Sequence, residues 1–295
     1  MSWYAVIGAV EQGFLYGIMV VGVFLTFRVL DFPDLTVDGS LPLGAAVSAV
    51  AITHGVHPFA ALGLAMVAGF LAGMVTALLN TKLKILHLLA SILTMIALYS
   101  INIRIMDGPN VSLLGANTVL DLLVQWGLTG YWAAPLLYGI LAAIVTGAVI
   151  WFLHTEIGLA VLATGDNPRM ITAQGVNTHH IILLGVGLSN AMVALSGALV
   201  AQNQGAADVN MGVGTIIAGL ASVIVGETVF GHGGITRGCI AALLGSIVYR
   251  VAIALALGIK WGAFAFTPSD LNLITALLVI GALMTPMIKK KWSRP

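Results

Sequence analysis

Charge is what this sequence is short of. Only 8% of its 295 residues are Asp, Glu, Lys or Arg, while 59% are hydrophobic; a soluble domain is nearer to about a quarter charged. With a mean hydropathy of +1.05, the chain has too little polar surface to cover a water-soluble fold, so it is a polytopic membrane protein. A single cysteine, Cys239, lies in an apolar run, which excludes a disulfide framework and a cysteine metal site. The net charge of +1 argues against nucleic acid as a partner. The opening MSWYAVIGAVEQGF lacks a basic n-region and a clear cleavage site, and reads as the first span rather than a removable signal. The glycine-rich GHGGITRG at 231–238 lacks the Lys-Ser/Thr of a phosphate-binding loop, so the chain does not itself hydrolyse ATP.

Apolar runs are present in quantity. A helical span takes about 20 largely apolar residues, and 5–27, 58–79, 85–106, 131–153, 179–201 and 270–288 qualify. Residues 41–53 are too short to cross alone, and 215–230 and 239–257 flank the glycine-rich turn. The expected fold is an all-α polytopic membrane protein, one transmembrane domain over 1–295. It has about eight to nine spanning or half-spanning helices. Gly69 and Gly73, and Gly139, Ala143 and Gly147, are spaced four apart for close helix packing. Residues 107–130 and 202–214 are read as connections.

The basic residues set the orientation. With the tail in the cytoplasm, Arg28, Lys82, Lys84, Arg169, Arg237 and the tail residues Lys289, Lys290, Lys291 and Arg294 all fall on that side. The positive-inside rule therefore places the amino terminus outside and the carboxyl terminus in the cytoplasm.

The longest polar unit between two spans is residues 155–177, TEIGLAVLATGDNPRMITAQGVN. Gly165 interrupts a short helical pattern, Asp166 or Asn167 can cap a second helix, and Pro168 suits its first position. Gly175 suits a left-handed end. This gives helix, turn and helix on the cytoplasmic side, with Arg169 at the turn and little that could perform chemistry.

Polar and ionisable groups within spans are functional candidates because they are costly there. Asp31, Asp34, Asp38, Asn102, Arg104, Glu227 and Arg250 answer that description. Glu227 reads equally as a pathway group or as a structural partner of Arg237 or Arg250. Two segments, at 31–45 and 226–245, look like broken helices, the usual pointer to a transport path, and imply that 38–42 and 227–234 approach each other. No catalytic, metal or cofactor site is found. His54 and His57 belong to a loop, His179 and His180 point about 100° apart on a helix, and Ser196-Gly197 lacks the context of an intramembrane serine protease.

Taken together, ATGDNPRMITAQGVN, FRVLDFPDLTVDGSLPLGAA, LTMIALYSINIRIM and VIVGETVFGHGGITRG resemble permease subunits of bacterial binding-protein-dependent ABC importers. The superfamily is that of branched-chain amino acid and ribose permeases, and the nearest group within it is the tryptophan/tyrosine, branched-chain-amino-acid-like one. The resemblance runs the length of the chain. It implies a location in the bacterial cytoplasmic (inner) membrane. It also implies that Gly165, Asp166, Asn167, Pro168 and Arg169 form the coupling helix for a separate ATPase. An external binding protein, periplasmic or lipoprotein, would deliver a small solute such as an amino acid, and a second copy would complete the pathway. Asp38, Asn102 and Glu227 are the candidate pathway residues. The segment holding Asp31, Asp34 and Asp38 is more acidic than in branched-chain permeases, so substrate identity is not carried over. The other reading is an ion-coupled secondary transporter using Glu227 and Asp31, Asp34 and Asp38.

Overall fold

In lipid a backbone can satisfy its polar groups only internally, so the apolar runs fold as helices. The computed structural model describes residues 3–121, 130–231 and 233–258, with short backbone pieces beyond. Seven helical segments among these are long and apolar enough to cross a membrane. The first, α1 (Trp3–Phe24), runs into a π-helical turn at Leu25–Val29. A non-helical stretch follows at 30–36, and then α2 (Val37–Thr53), an apolar helix of 17 residues that is too short to span alone. Next come α3 (Pro58–Thr81), α4 (His87–Met106) and α5 (Ala133–Leu153). The short α6 (Glu156–Asp166) and α7 (Pro168–Ala173) lead to α8 (Thr178–Gln204), α9 (Thr215–Phe230) and α10 (Gly234–Gly258). Strands β1 (Asn110–Ser112) and β2 (Ala206–Asp208) pair antiparallel where α4 and α8 end. The expected span at 270–288 and the tail at 289–291 lie outside the described residues.

Two helices make the centre. On α8 nearly every residue from Gly185 to Gln202 is buried, and α2 is buried almost all round. They meet at backbone contact: a Cβ on Gly44 would strike Ala194, and one on Gly197 would strike the Leu41 carbonyl. On α3, Gly69 lies against Asn190 and Ala194, and Gly73 against the Val186 carbonyl. The first small-residue face thus packs within the chain. The second does not: Gly139 approaches Phe14, but Ala143 and Gly147 face outward, with open space beside Gly147. Instead α5 buries Tyr138, Ala142, Thr146 and Val149, and on that face the Tyr138 hydroxyl donates to Asn203 Oδ1 (3.2 Å).

Irregular backbone is tolerated at depth only when other groups satisfy it. Here Asp34 does so, accepting from the Thr36 amide (2.9 Å) and from Asn190 Nδ2 (2.7 Å). The Ser40 hydroxyl donates to Asn190 Oδ1 (2.7 Å), and Thr36 and Thr76 share a hydrogen bond of 2.8 Å. All five side chains are fully buried. They pin the broken segment between α1 and α2 onto α3 and α8.

The second break is not where composition placed it. The stretch that composition singled out lies between two full spans, α9 ending at Phe230 and α10 starting at Gly234, with Gly231 at φ +83°. The break that faces α2 lies between α8 and α9, where Gly205 and Gly214 both have positive φ and a 3₁₀ turn spans Val209–Gly212. A Cβ on Gly212 would collide with the Asp38 carbonyl.

Candidate functional site

The polar unit at 155–177 forms at one end of the bundle, by local rules. Thr155 caps α6, its hydroxyl accepting from the Gly158 amide (3.2 Å). Asn167 caps α7 through the Met170 amide (3.1 Å), with Pro168 as the first helical residue. Gly175 takes φ +89°, and Asn177 caps α8 through the His179 amide (3.1 Å). Gly165 does not interrupt α6, which continues to Asp166. It is small because its Cα lies on the Val29 carbonyl and against Leu30, just after the π turn. Asp166, Asn167, Pro168, Arg169 and Met170 are exposed, while Val161 and Ile171 are buried beneath them. The element is a solvated knuckle resting on the end of α1.

Glu227 sits at this same end. Its Oε1 accepts from Arg28 Nε at 2.8 Å, tying the last turns of α9 to the π turn of α1. The sequence suggested Arg237 or Arg250; Arg28 is 199 positions away and carries no local signal for the pair. The Arg250 guanidinium lies 3.8 Å above the Tyr16 ring, a cation–π arrangement.

Asp38 lies elsewhere. Its carboxylate accepts from the Ile216 amide (2.8 Å), the Thr215 hydroxyl (2.9 Å) and the Gly214 amide (3.2 Å). The first residues of α9, whose N-cap Gly214 has no side chain, are therefore capped from α2. Asp38 contacts the start of α9 and Glu227 its end, about 16 Å apart at a helical rise of 1.5 Å per residue. The expected approach of 38–42 to 227–234 is overturned.

The structure does bring Asp38 and Asn102 together. Both line a cavity of about 440 Å³ between α2, α4 and the 209–213 turn, with Pro42, Met95, Tyr99 and Val213 as largely apolar wall. Asn102 is fully buried; its Nδ2 donates to the Gly39 carbonyl (3.2 Å), and its Oδ1 has no partner among the described residues. Tyr99 and Val213 had no sequence signal as site residues, since Tyr99 on a span is expected to face lipid or core and Val213 lies in a stretch that reads only as a connection. Asp31 is exposed in the break, and His54 and His57 are exposed at the turn between α2 and α3.

The sequence profile of the family described as "Branched-chain amino acid transport system / permease component" matches residues 6–287. The chain belongs to this permease family. The permease is 36% identical over 281 residues to the tyrosine transport system permease protein of Clostridioides difficile, covering 95% of this chain and 90% of that one. Identity to the ribose import permease RbsC of Escherichia coli is 25%, over 62% of this chain and 57% of the other. Among solved structures, the permease matches a chain of PsaBC from Streptococcus pneumoniae in complex with Fab, with a TM-score of 0.53, 14% identity and coverage of 97% and 92%. A second match, an inward-facing structure assigned to the metal-chelate type of ABC transporter, has a TM-score of 0.51 at 14% identity, covering 97% and 85%. These likenesses show the shared fold. The permease is a multi-pass inner-membrane component of an ABC transporter.

Proposed function

We propose that this permease carries an amino acid or related small solute into the cell, powered by a separate ATP-binding cassette subunit. The observation that carries the reading is the 36% identity, spanning 95% of the chain, to a tyrosine transport permease. The ATPase docks on the knuckle at 155–177, through Gly165, Asp166, Asn167, Pro168 and Arg169. Exposed and rigidly capped on a buried base, this element suits the transmission of force without chemistry of its own. The positive-inside rule places it, with Arg28, Lys82, Lys84 and Arg237, in the cytoplasm. The substrate arrives from an external binding protein, and a second copy of the chain completes the pathway, lined in part by Asp38 and Asn102.

The ion-coupled alternative needs carboxylates free to change partners during transport. Asp34 is locked in the buried hydrogen-bond knot, Asp38 caps α9, and Glu227 is paired with Arg28, which favours the ATP-driven reading. The deciding experiment is uptake of labelled L-tyrosine into proteoliposomes. The permease is reconstituted with its copurifying ATPase and binding protein. Uptake that follows an ion gradient, and is indifferent to ATP and to the ATPase, refutes the proposal.

A further inference from the structure

We propose that the cavity between α2 and α4 is a binding site for the primary ammonium of the transported solute, with Asn102 and Asp38 as its acceptors. The identification of that solute as an amino acid rests on the function proposed above; the preference for an ammonium rests on the cavity alone.

The argument begins with the Asn102 amide. Its Nδ2 is committed to the Gly39 carbonyl, which can only accept, so the amide orientation is fixed by its partner. Oδ1 is then left as a buried acceptor with no donor among the described residues. Buried polar atoms in folded proteins are nearly always paired, and an orphan calls for an explanation. Asp38, the residue before Gly39, presents a half-buried carboxylate to the same cavity. Its Oδ2 accepts one amide at 3.2 Å and keeps a lone pair free. Among the described residues, none of the lining side chains is a cation. The cavity thus offers a neutral and an anionic acceptor and asks for a donor, while Met95, Tyr99 and Pro42 offer apolar wall for the body of the ligand. Its volume of about 440 Å³ suits a small molecule, such sites spanning about 300–1,000 Å³. Ser100 also lines the neighbouring cavity that holds Arg104, one turn further along α4. A ligand with its ammonium at Asn102 can therefore extend a carboxylate towards the Arg104 guanidinium.

The test exploits the buried state of Cys239, the free cysteine of the native chain, which leaves little background labelling. Ser100→Cys in the full-length permease, in membrane vesicles, is labelled with a small maleimide in the presence of L-tyrosine, tyramine or 3-(4-hydroxyphenyl)propionate. L-tyrosine and tyramine, which carry the amine, slow the labelling; the propionate, which lacks it, does not. Asn102→Leu raises the half-protecting concentration of both amines about tenfold or more, the usual effect of losing a hydrogen bond to a charged group. Tyr99→Ala, which alters an exposed side chain and spares the core, weakens protection by L-tyrosine as well. Protection by the propionate equal to that by tyramine overturns the proposal. So does protection by neither amine, protection unchanged in Asn102→Leu and Tyr99→Ala, or a Ser100→Cys that no water-borne reagent reaches. The labelling requires no ATPase. A failed ATP-driven uptake therefore leaves this result standing, and lost protection with intact uptake removes the site alone.

Discussion

Asp38→Ala is the substitution whose cost can be worked most directly. The carboxylate serves two backbone amides and one hydroxyl at the start of α9. The Thr215 hydroxyl has a second acceptor, the Gly212 carbonyl at 2.9 Å, so it loses little. The Ile216 and Gly214 amides lose their acceptor. An unsatisfied buried donor costs about 1–3 kcal/mol, giving about 2–6 kcal/mol for two. Gly214 is only half-buried, where water can replace the carboxylate, and removing the charge relieves its own desolvation. The expected loss is therefore about 2–3 kcal/mol, at or above the upper limit for a helix cap of about 2 kcal/mol, because the same carboxylate serves two amides. Asp38→Asn keeps one acceptor oxygen for Ile216 but turns its amide group towards a donor, and should cost about 1 kcal/mol. Unfolding of the purified permease in mixed micelles, followed by circular dichroism as denaturing detergent is added, measures both. A stability of Asp38→Ala within about 0.5 kcal/mol of the native chain, or an Asn variant weaker than the Ala variant, would show that the cap is not what holds α9 against α2.

Gly73→Leu should lower stability by about 1–3 kcal/mol or more by forcing α3 off the Val186 carbonyl; Gly147→Leu, facing open space, should leave monomer unfolding unchanged, and equal effects would refute the packing. Arg169→Glu should weaken ATPase copurification with no change in permease stability, since its side chain is exposed; normal substrate-stimulated ATP turnover in the assembled variant would count against docking at the knuckle. For Arg28→Gln and Glu227→Gln, a double-mutant cycle should return a coupling of about 1 kcal/mol or less, because Arg28 is 54% exposed. Both single variants should fold, and a larger coupling would mean that the pair is shielded from water.

The local rules were well placed in the sequence. Among the described residues, each long apolar run became a span within a few residues of its expected ends, because lipid leaves the backbone no alternative to the helix. The caps at Asn167, Pro168 and Gly175 were equally legible, since capping depends on neighbours within one turn. Gly165 shows the limit of local reasoning. It reads as a helix breaker, yet it lies inside α6 and is small because Val29 from another helix passes beside it.

The sequence by itself determined that this is a membrane protein, where its described residues cross, which end is basic and which loop is a capped polar unit. All of these follow from composition and from interactions between residues a few positions apart. The tertiary structure alone decided which charges meet. Asp38 reaches Ile216 across 178 positions and Arg28 reaches Glu227 across 199, distances over which no pattern in one chain specifies a partner. It also decided which glycine-rich stretch is the break facing α2. Residues 231–238 and 205–214 are both rich enough in glycine to break a helix. Only the packing of Gly212 onto Asp38, and the capping of α9 by the same residue, shows which break meets the buried half-helix.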